Sequence, residues 1–170
     1  MDAQCNTPLC CRPENGWPKD PKNGAGFWGD YNCDLPHNTL VDFMQYVRDE
    51  IKPDMFIWTG DNSAHDVWKN SNPEVIEYVK NITDTLIEQF EGTNVTFFPI
   101  QGNHDTWPVN VQDFSDEGIN VPLNTYMQIW KEWLGEEAVT ELNKYGYYSK
   151  DLVLKDGRKP PHTKVIGVNT

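Results

Sequence analysis

Asp54-Met55-Phe56-Ile57-Trp58 and Val95-Thr96-Phe97-Phe98-Pro99-Ile100 are short apolar runs that both break off into a glycine and polar side chains. The first leads into Thr59-Gly60-Asp61 and the second into Gln101-Gly102-Asn103-His104-Asp105. A helical repeat precedes each run. Leu40, Phe43, Met44, Val47 and Ile51 recur at helical spacing, with Asn38 as the N-cap and Pro53 just beyond the end. Val75, Val79, Ile82, Leu86 and Phe90 do the same, with Asn72 as the cap, Pro73 at the first helical position and Gly92 as the stop. Helix, strand, polar loop, repeated, predicts an α/β fold with parallel strands, a sheet flanked by helices.

The rest of the chain fits around that unit. Leu123, Tyr126, Met127, Trp130, Trp133 and Leu134 form a third helical stripe, read as core. A short helix over 136–143, closed by Gly146, comes next. A hairpin from 147–154 and 164–168 turns near Asp156-Gly157, and the 164–168 run reads as a buried strand. Residues 1–37 lack periodicity and are rich in Pro, Gly, Asn and Cys. They are expected to be an irregular segment pinned by disulfides, with 38–170 completing the same domain. Cys5, Cys10, Cys11 and Cys33 admit two readings, disulfides or a metal site; Cys-x4-Cys-Cys followed by a lone Cys33 departs from known zinc spacings and favours disulfides. Disulfides imply an oxidising compartment, and the sequons at Asn81 and Asn94 point the same way.

Composition excludes several classes. With 26 Asp+Glu against 14 Lys+Arg and a net charge of -12, no nucleic-acid backbone is expected as partner. Aromatic residues at 12% argue against wholesale disorder. No apolar run approaches the roughly 18 residues of a transmembrane helix.

In parallel sheets, ligands gather beyond the carboxyl ends of the strands. Glycine before Asp61 and before Asn103 allows a sharp turn and close backbone approach there. Asp61 could bridge two divalent ions, and Asn103 could give one of them an amide oxygen. Two ions about 3.5–4 Å apart would clamp a phosphoryl group, with His104 donating a hydrogen bond or proton as charge builds. Each motif alone reads more readily as turn chemistry; their pairing at two strand ends shifts the balance to a site. His65 is evenly divided between loop capping and catalysis, while His37 and His162 read as solvated or structural.

Gly60-Asp61 with Gly102-Asn103-His104-Asp105 resembles the second and third signature blocks of calcineurin-like metallophosphoesterases. Pro8-Leu9-Cys10-Cys11-Arg12, Gly26-Phe27-Trp28-Gly29, Cys33-Asp34-Leu35-Pro36, Ala64-His65-Asp66-Val67-Trp68 and Pro108-Val109-Asn110 resemble the acid sphingomyelinase branch in particular. The resemblance implies a binuclear zinc site with Asp61 as bridging ligand and Asn103 as amide ligand. It implies His104 as the histidine that steadies the phosphate, His65 as a second active-site histidine, and disulfides Cys5–Cys10 and Cys11–Cys33. It further implies a phosphodiester substrate such as sphingomyelin, cleaved to ceramide and phosphocholine. A secreted, lysosomal or endosomal glycoprotein in peripheral contact with membrane surfaces is the corresponding setting. A nucleotide phosphodiesterase of the same branch and a catalytically dead binding protein are the alternatives. The family's upstream Asp-x-His block and two later His-bearing blocks have no counterpart in these residues. The expectation is therefore a partial fold, the central part of a larger catalytic domain, in which the metal site is incomplete. Expressed by themselves, the 170 residues are expected to show no metal-dependent diesterase turnover; measurable turnover would overturn that expectation.

Overall fold

A computed structural model describes residues 1–115 and 120–169. Part of the polar loop before the third helical stripe, 116–119, lies outside the described residues. The chain packs as two compact units, Met1–Ile51 with Ala64–Asp66, and Lys52–Ser63 with Val67–Thr170.

The first unit is held by cross-links more than by regular structure. Disulfides join Cys5 to Cys10 and Cys11 to Cys33. The second closes a loop of sequence separation 22, a constraint on the unfolded chain of about 3 kcal/mol. Backbone bonds from Cys11 N to Asp2 O (2.9 Å) and from Ala3 N to Asn23 O (2.8 Å) tie the N-terminus into this mesh. Helix α1 spans His37–Tyr46 and starts behind Pro36, one residue before the expected cap. Asn38 does not cap it: its amide donates to Phe27 O at 2.7 Å, while Thr39 Oγ1 donates to Trp28 O at 3.0 Å. The apolar stripe is also only half buried. Met44 and Val47 are covered, but Phe43 and Ile51 are exposed. At Val47 the backbone passes into a π-turn that runs to Ile51, and its longer repeat swings Ile51 out of the α-helical phase.

The second unit contains the alternation. Strands β1 (Met55–Trp58) and β2 (Thr96–Pro99) pair in parallel, Met55 opposite Thr96 and Trp58 opposite Pro99. Helices α2 (Asn72–Gln89) and α3 (Val121–Leu134) pack on each other, and α3 packs on β2. Asn72 is already helical; Ser71 is the flanking residue, and its hydroxyl bonds the Glu74 carboxylate at 2.6 Å. Val75 and Val79 of α2 and Tyr126 and Trp130 of α3 are wholly buried, and Phe97 stacks on Trp133 at 4.7 Å. Helix α4 (Glu136–Tyr145) ends at Gly146, whose left-handed φ of 74° lets its N–H reach Leu142 O at 2.9 Å.

Strands β3 (Tyr147–Asp151) and β4 (Lys164–Val168) form the expected antiparallel hairpin, and Tyr148 OH donates to Pro99 O at 3.1 Å. The expectation of a buried strand over 164–168 fails. Gly167 packs against the Tyr148 ring, but Ile166 and Val168 are exposed, because among the described residues the sheet has two strands and covers one face of β4. No helix is long and apolar enough to cross a membrane among the described residues.

Trp130 is the centre of this core. Its ring lies 5.3 Å from Tyr126 and 5.5 Å from Trp58, and its Nε1 donates to Thr83 Oγ1 at 3.2 Å. Trp130→Ala should lower unfolding free energy by about 3–5 kcal/mol in urea titrations. A loss under about 1 kcal/mol would contradict this assignment.

Candidate active site at two strand ends

Where β1 and β2 finish, their polar loops are drawn together by one side chain. Asp105 is fully buried, and its carboxylate accepts from the backbone N–H of Asp61 (2.8 Å), Asn62 (2.8 Å) and Gly102 (2.9 Å). Asn62 Nδ2 adds contacts of 3.0 Å to both oxygens. Burial pushes the Asp105 carboxyl up from its usual range, and these donors oppose that shift by favouring the charged form. The backbone has to bend sharply to deliver them. Gly60 (φ 79°) and Asp61 (φ 58°) are consecutive left-handed residues. A side chain at Gly60 would run into Gly102 N and come within 2.6 Å of Asp105 Oδ2, and one at Gly102 would run into the Asp61 carboxylate. Glycine is needed at both positions for the loops to touch.

Three of the sequence-derived site residues are thereby brought together. Asp61 is exposed and accepts a bond from His104 N at 3.0 Å through Oδ1. Asn103 precedes His104, and its amide nitrogen donates to Asn110 Oδ1 at 2.7 Å. Asn110 N returns a bond to Asn103 O at 3.1 Å. The amide of Asn103 is thus oriented by Asn110, with its oxygen on the opposite side. His104 is half-buried.

His65 lies in the other compact unit. Its Nδ1 is 2.7 Å from Asp34 Oδ1, and its backbone N–H donates to Asp34 Oδ2 at 3.2 Å. Arg12 pairs with the same carboxylate and lies 3.4 Å from Asp66 Oδ1. Burial pushes the Asp34 carboxyl up, but the His65 and Arg12 contacts together outweigh it and hold it below its ordinary value. Asn81 and Asn94, the sequon residues, are both exposed.

Comparison with known proteins adds the family. The profile of the calcineurin-like phosphoesterases matches residues 28–168. The chain belongs to the calcineurin-like phosphoesterase family. It is 35% identical over 155 residues to the sphingomyelin phosphodiesterase of Bos taurus, covering 87% of this chain and 24% of that protein. It is 34% identical over 152 residues to sphingomyelin phosphodiesterase B of Dictyostelium discoideum, covering 88% and 23%. To the cyclic GMP-AMP phosphodiesterase SMPDL3A of Homo sapiens it is 31% identical over 167 residues, covering 97% and 34%. The chain thus spans between about a quarter and a third of the length of these relatives.

Calcineurin-like phosphoesterases are metal-dependent, and the donors here have suitable chemistry in part. A carboxylate and an amide oxygen suit a divalent ion. Two donors are fewer than the four to six such ions take, and no group of three or more His, Cys, Asp or Glu is arranged to hold a metal among the described residues.

The positioning residues were the ones hidden in the sequence. Asp105 stood inside the quoted motif but read as turn chemistry, and nothing local marked it as the brace between loops 43 or 44 residues apart. Asp34, Arg12 and Asn110 carried no signal beyond proximity to Cys33, Cys11 and the Pro108-Val109-Asn110 run. Asp105→Ala leaves three part-buried N–H groups without that acceptor, at up to about 1 kcal/mol each. We expect loss of stability and faster hydrogen exchange at the amides of Asp61, Asn62 and Gly102; unchanged exchange at those three amides would refute the bracing role.

Proposed function

We propose that the chain supplies the central part of the active domain of a metal-dependent phosphodiester hydrolase resembling sphingomyelin phosphodiesterase. The observation that supports this best is that the buried Asp105 carboxylate binds both strand-end loops, which brings the Asp61 carboxylate onto the backbone N–H of His104, next to Asn103. Asp61 and Asn103 are the residues of this chain that would hold metal, and we read the ions as two zinc. Such ions, when bound, supply Lewis acidity and lower the pKa of the attacking water.

The protein's own groups do the remaining work. His104 donates to phosphate oxygens as negative charge grows on them. A water molecule gives up one proton to solvent, its oxygen forms a bond to phosphorus while the bond to the leaving oxygen breaks, and that electron pair stays on the leaving oxygen. The family resemblance offers His65 as a second active-site histidine that would give it a proton. The Asn103–Asn110 bond keeps the Asn103 amide in one orientation throughout. The substrate class is a phospholipid diester such as sphingomyelin, with contact at a membrane surface. Similarity to cyclic GMP-AMP phosphodiesterases over 97% of the chain favours nucleotide phosphodiesters as the second reading. Two disulfides and the exposed Asn81 and Asn94 support a secreted, lysosomal or endosomal glycoprotein.

The test is hydrolysis of sphingomyelin and of cyclic GMP-AMP by the full-length protein, with and without a chelator. Asp61→Asn and His104→Gln should each lower kcat/KM by about a hundredfold or more on the preferred substrate, and Asp61→Asn should also lower bound metal. Chelator-resistant turnover, or full activity in both variants, would defeat the proposal.

A further inference from the structure

Within the second unit, the start of β2 borders an apolar groove of about 470 Å³. Phe90 and Phe97 line it and are themselves buried, whereas Ile129 and Trp133 are half-buried and Ile87 is 52% exposed. Apolar surface left open in this way favours an occupant that removes it from water. The rim narrows the choice. Glu91 and Glu132 stand there exposed, and the chain as a whole carries a net charge of -12. A second copy of so acidic a chain would bring like charge to that rim, so a neutral occupant fits better.

The turn that leads into β2 offers one. Gly92, Val95 and Thr96 line the groove, and Asn94, the exposed first residue of the Asn94-Val95-Thr96 sequon, lies between them in the chain. The turn is held at both sides. Thr93 Oγ1 donates to Phe90 O at 2.7 Å, and Lys155, which also lines the groove, gives its Nζ to Thr93 O at 2.8 Å.

We propose that the N-linked glycan of Asn94 folds back over this groove, with the C–H faces of its first sugars against Ile87 and Trp133 and its hydroxyls toward Glu91 and Glu132. The inference rests on the reading of Asn94 as glycosylated. In the attachment step the Asn94 amide nitrogen bonds the anomeric carbon of the sugar and loses one proton. The lipid pyrophosphate that carried the sugar leaves with the electron pair of the broken bond. Thr96 Oγ1 accepts from Lys155 N at 2.7 Å in the folded chain, so the sequon hydroxyl is engaged once residues 96 and 155 have met. The glycan is therefore in place before they do, and the groove forms around it. A pyranose ring has C–H groups on its faces and hydroxyls at its edge, which matches apolar walls under a carboxylate rim. Little intrinsic affinity is required. A short tether gives about millimolar effective concentration, at which a contact of millimolar affinity covers the groove about half of the time.

The experiment is hydroxyl-radical footprinting, read by mass spectrometry, of the full-length protein secreted from a glycosylating cell. One sample keeps its glycans; the other is treated with an amidase that removes the whole glycan and leaves aspartate at 94. Removal should raise oxidation of Ile87 and Trp133 by about twofold or more. Ile57 and Ile166, exposed elsewhere in the same unit, should not change. If the glycopeptide shows Asn94 occupied and removal leaves Ile87 and Trp133 unaltered, the groove contact is overturned while the reading of Asn94 stands. The same result follows if another segment of the longer protein, or a second copy, covers the groove, and it overturns the proposal equally. If Asn94 carries no glycan, that reading fails and the inference with it. Should the amidase not reach the folded protein, Asn94→Gln is compared with the wild type by the same footprint and the same criteria.

Discussion

Burying a carboxylate costs several kcal/mol unless polar groups replace its water, and Asp105 meets this by recruiting backbone N–H groups from both strand ends. The candidate site follows from that requirement. The donors belong to residues 61, 62 and 102, so the two loops can satisfy the carboxylate only by touching. They can touch only where Cβ atoms are missing, at Gly60 and Gly102. Charge-assisted hydrogen bonds contribute about 1.5–3 kcal/mol each, so their sum and the desolvation cost are of similar size. What Asp105 adds is therefore geometry more than net stability. It sets Asp61 and the backbone of His104 at hydrogen-bonding distance across a wide gap in sequence.

Rigidity reaches this brace from the core. Tyr126 on α3 donates to the backbone carbonyl of Asp105 at 2.9 Å, and burial together with the nearby Asp105 charge keeps that hydroxyl protonated. Trp58, the last residue of β1, donates through Nε1 to Asn62 Oδ1 at 2.9 Å, and Asn62 passes its own amide protons to Asp105. Both aromatic rings rest against Trp130. The hydrogen-bonded side chains that hold the loops are thus the tips of residues whose rings form the packed interior. A large amphipathic aromatic suits this use, with its body dry and one polar atom directed at a partner.

What could be read from the sequence was whatever repeats at short range. The parallel pair, the α2 and α3 stripes and the hairpin are all periodic signals, and Gly146 announced the end of α4 by its own chemistry. The resemblance to a known family carried the disulfide pairing, which spacing alone had left open. The misses share one cause. Asn38 bonds Phe27 instead of capping, Ile51 leaves its stripe at a π-turn, and β4 keeps an exposed face because its sheet stops at two strands. Each depends on partners distant in sequence or on a backbone irregularity, and neither leaves a periodic trace. Asp105 is the strongest case, since its identity was visible while its role depended on donors more than 40 residues away.

Asp34 and Asp105 show how one residue type is kept in place by two different means. Asp105 is fully buried and, among the described residues, has no cation as a partner; backbone dipoles surround it, and these cannot move away while the loops stay folded. Asp34 is partly exposed and relies on Arg12 and His65, side chains that can rotate away, so something else has to limit their freedom. The disulfide adjoining both Arg12 and Asp34 does this at the backbone. That gives the close cysteine spacing a meaning beyond stapling an irregular segment. The cross-link limits the freedom of the ion pair in the first unit, in the way that the backbone N–H groups of Asp61, Asn62 and Gly102 stand in for a cation at Asp105.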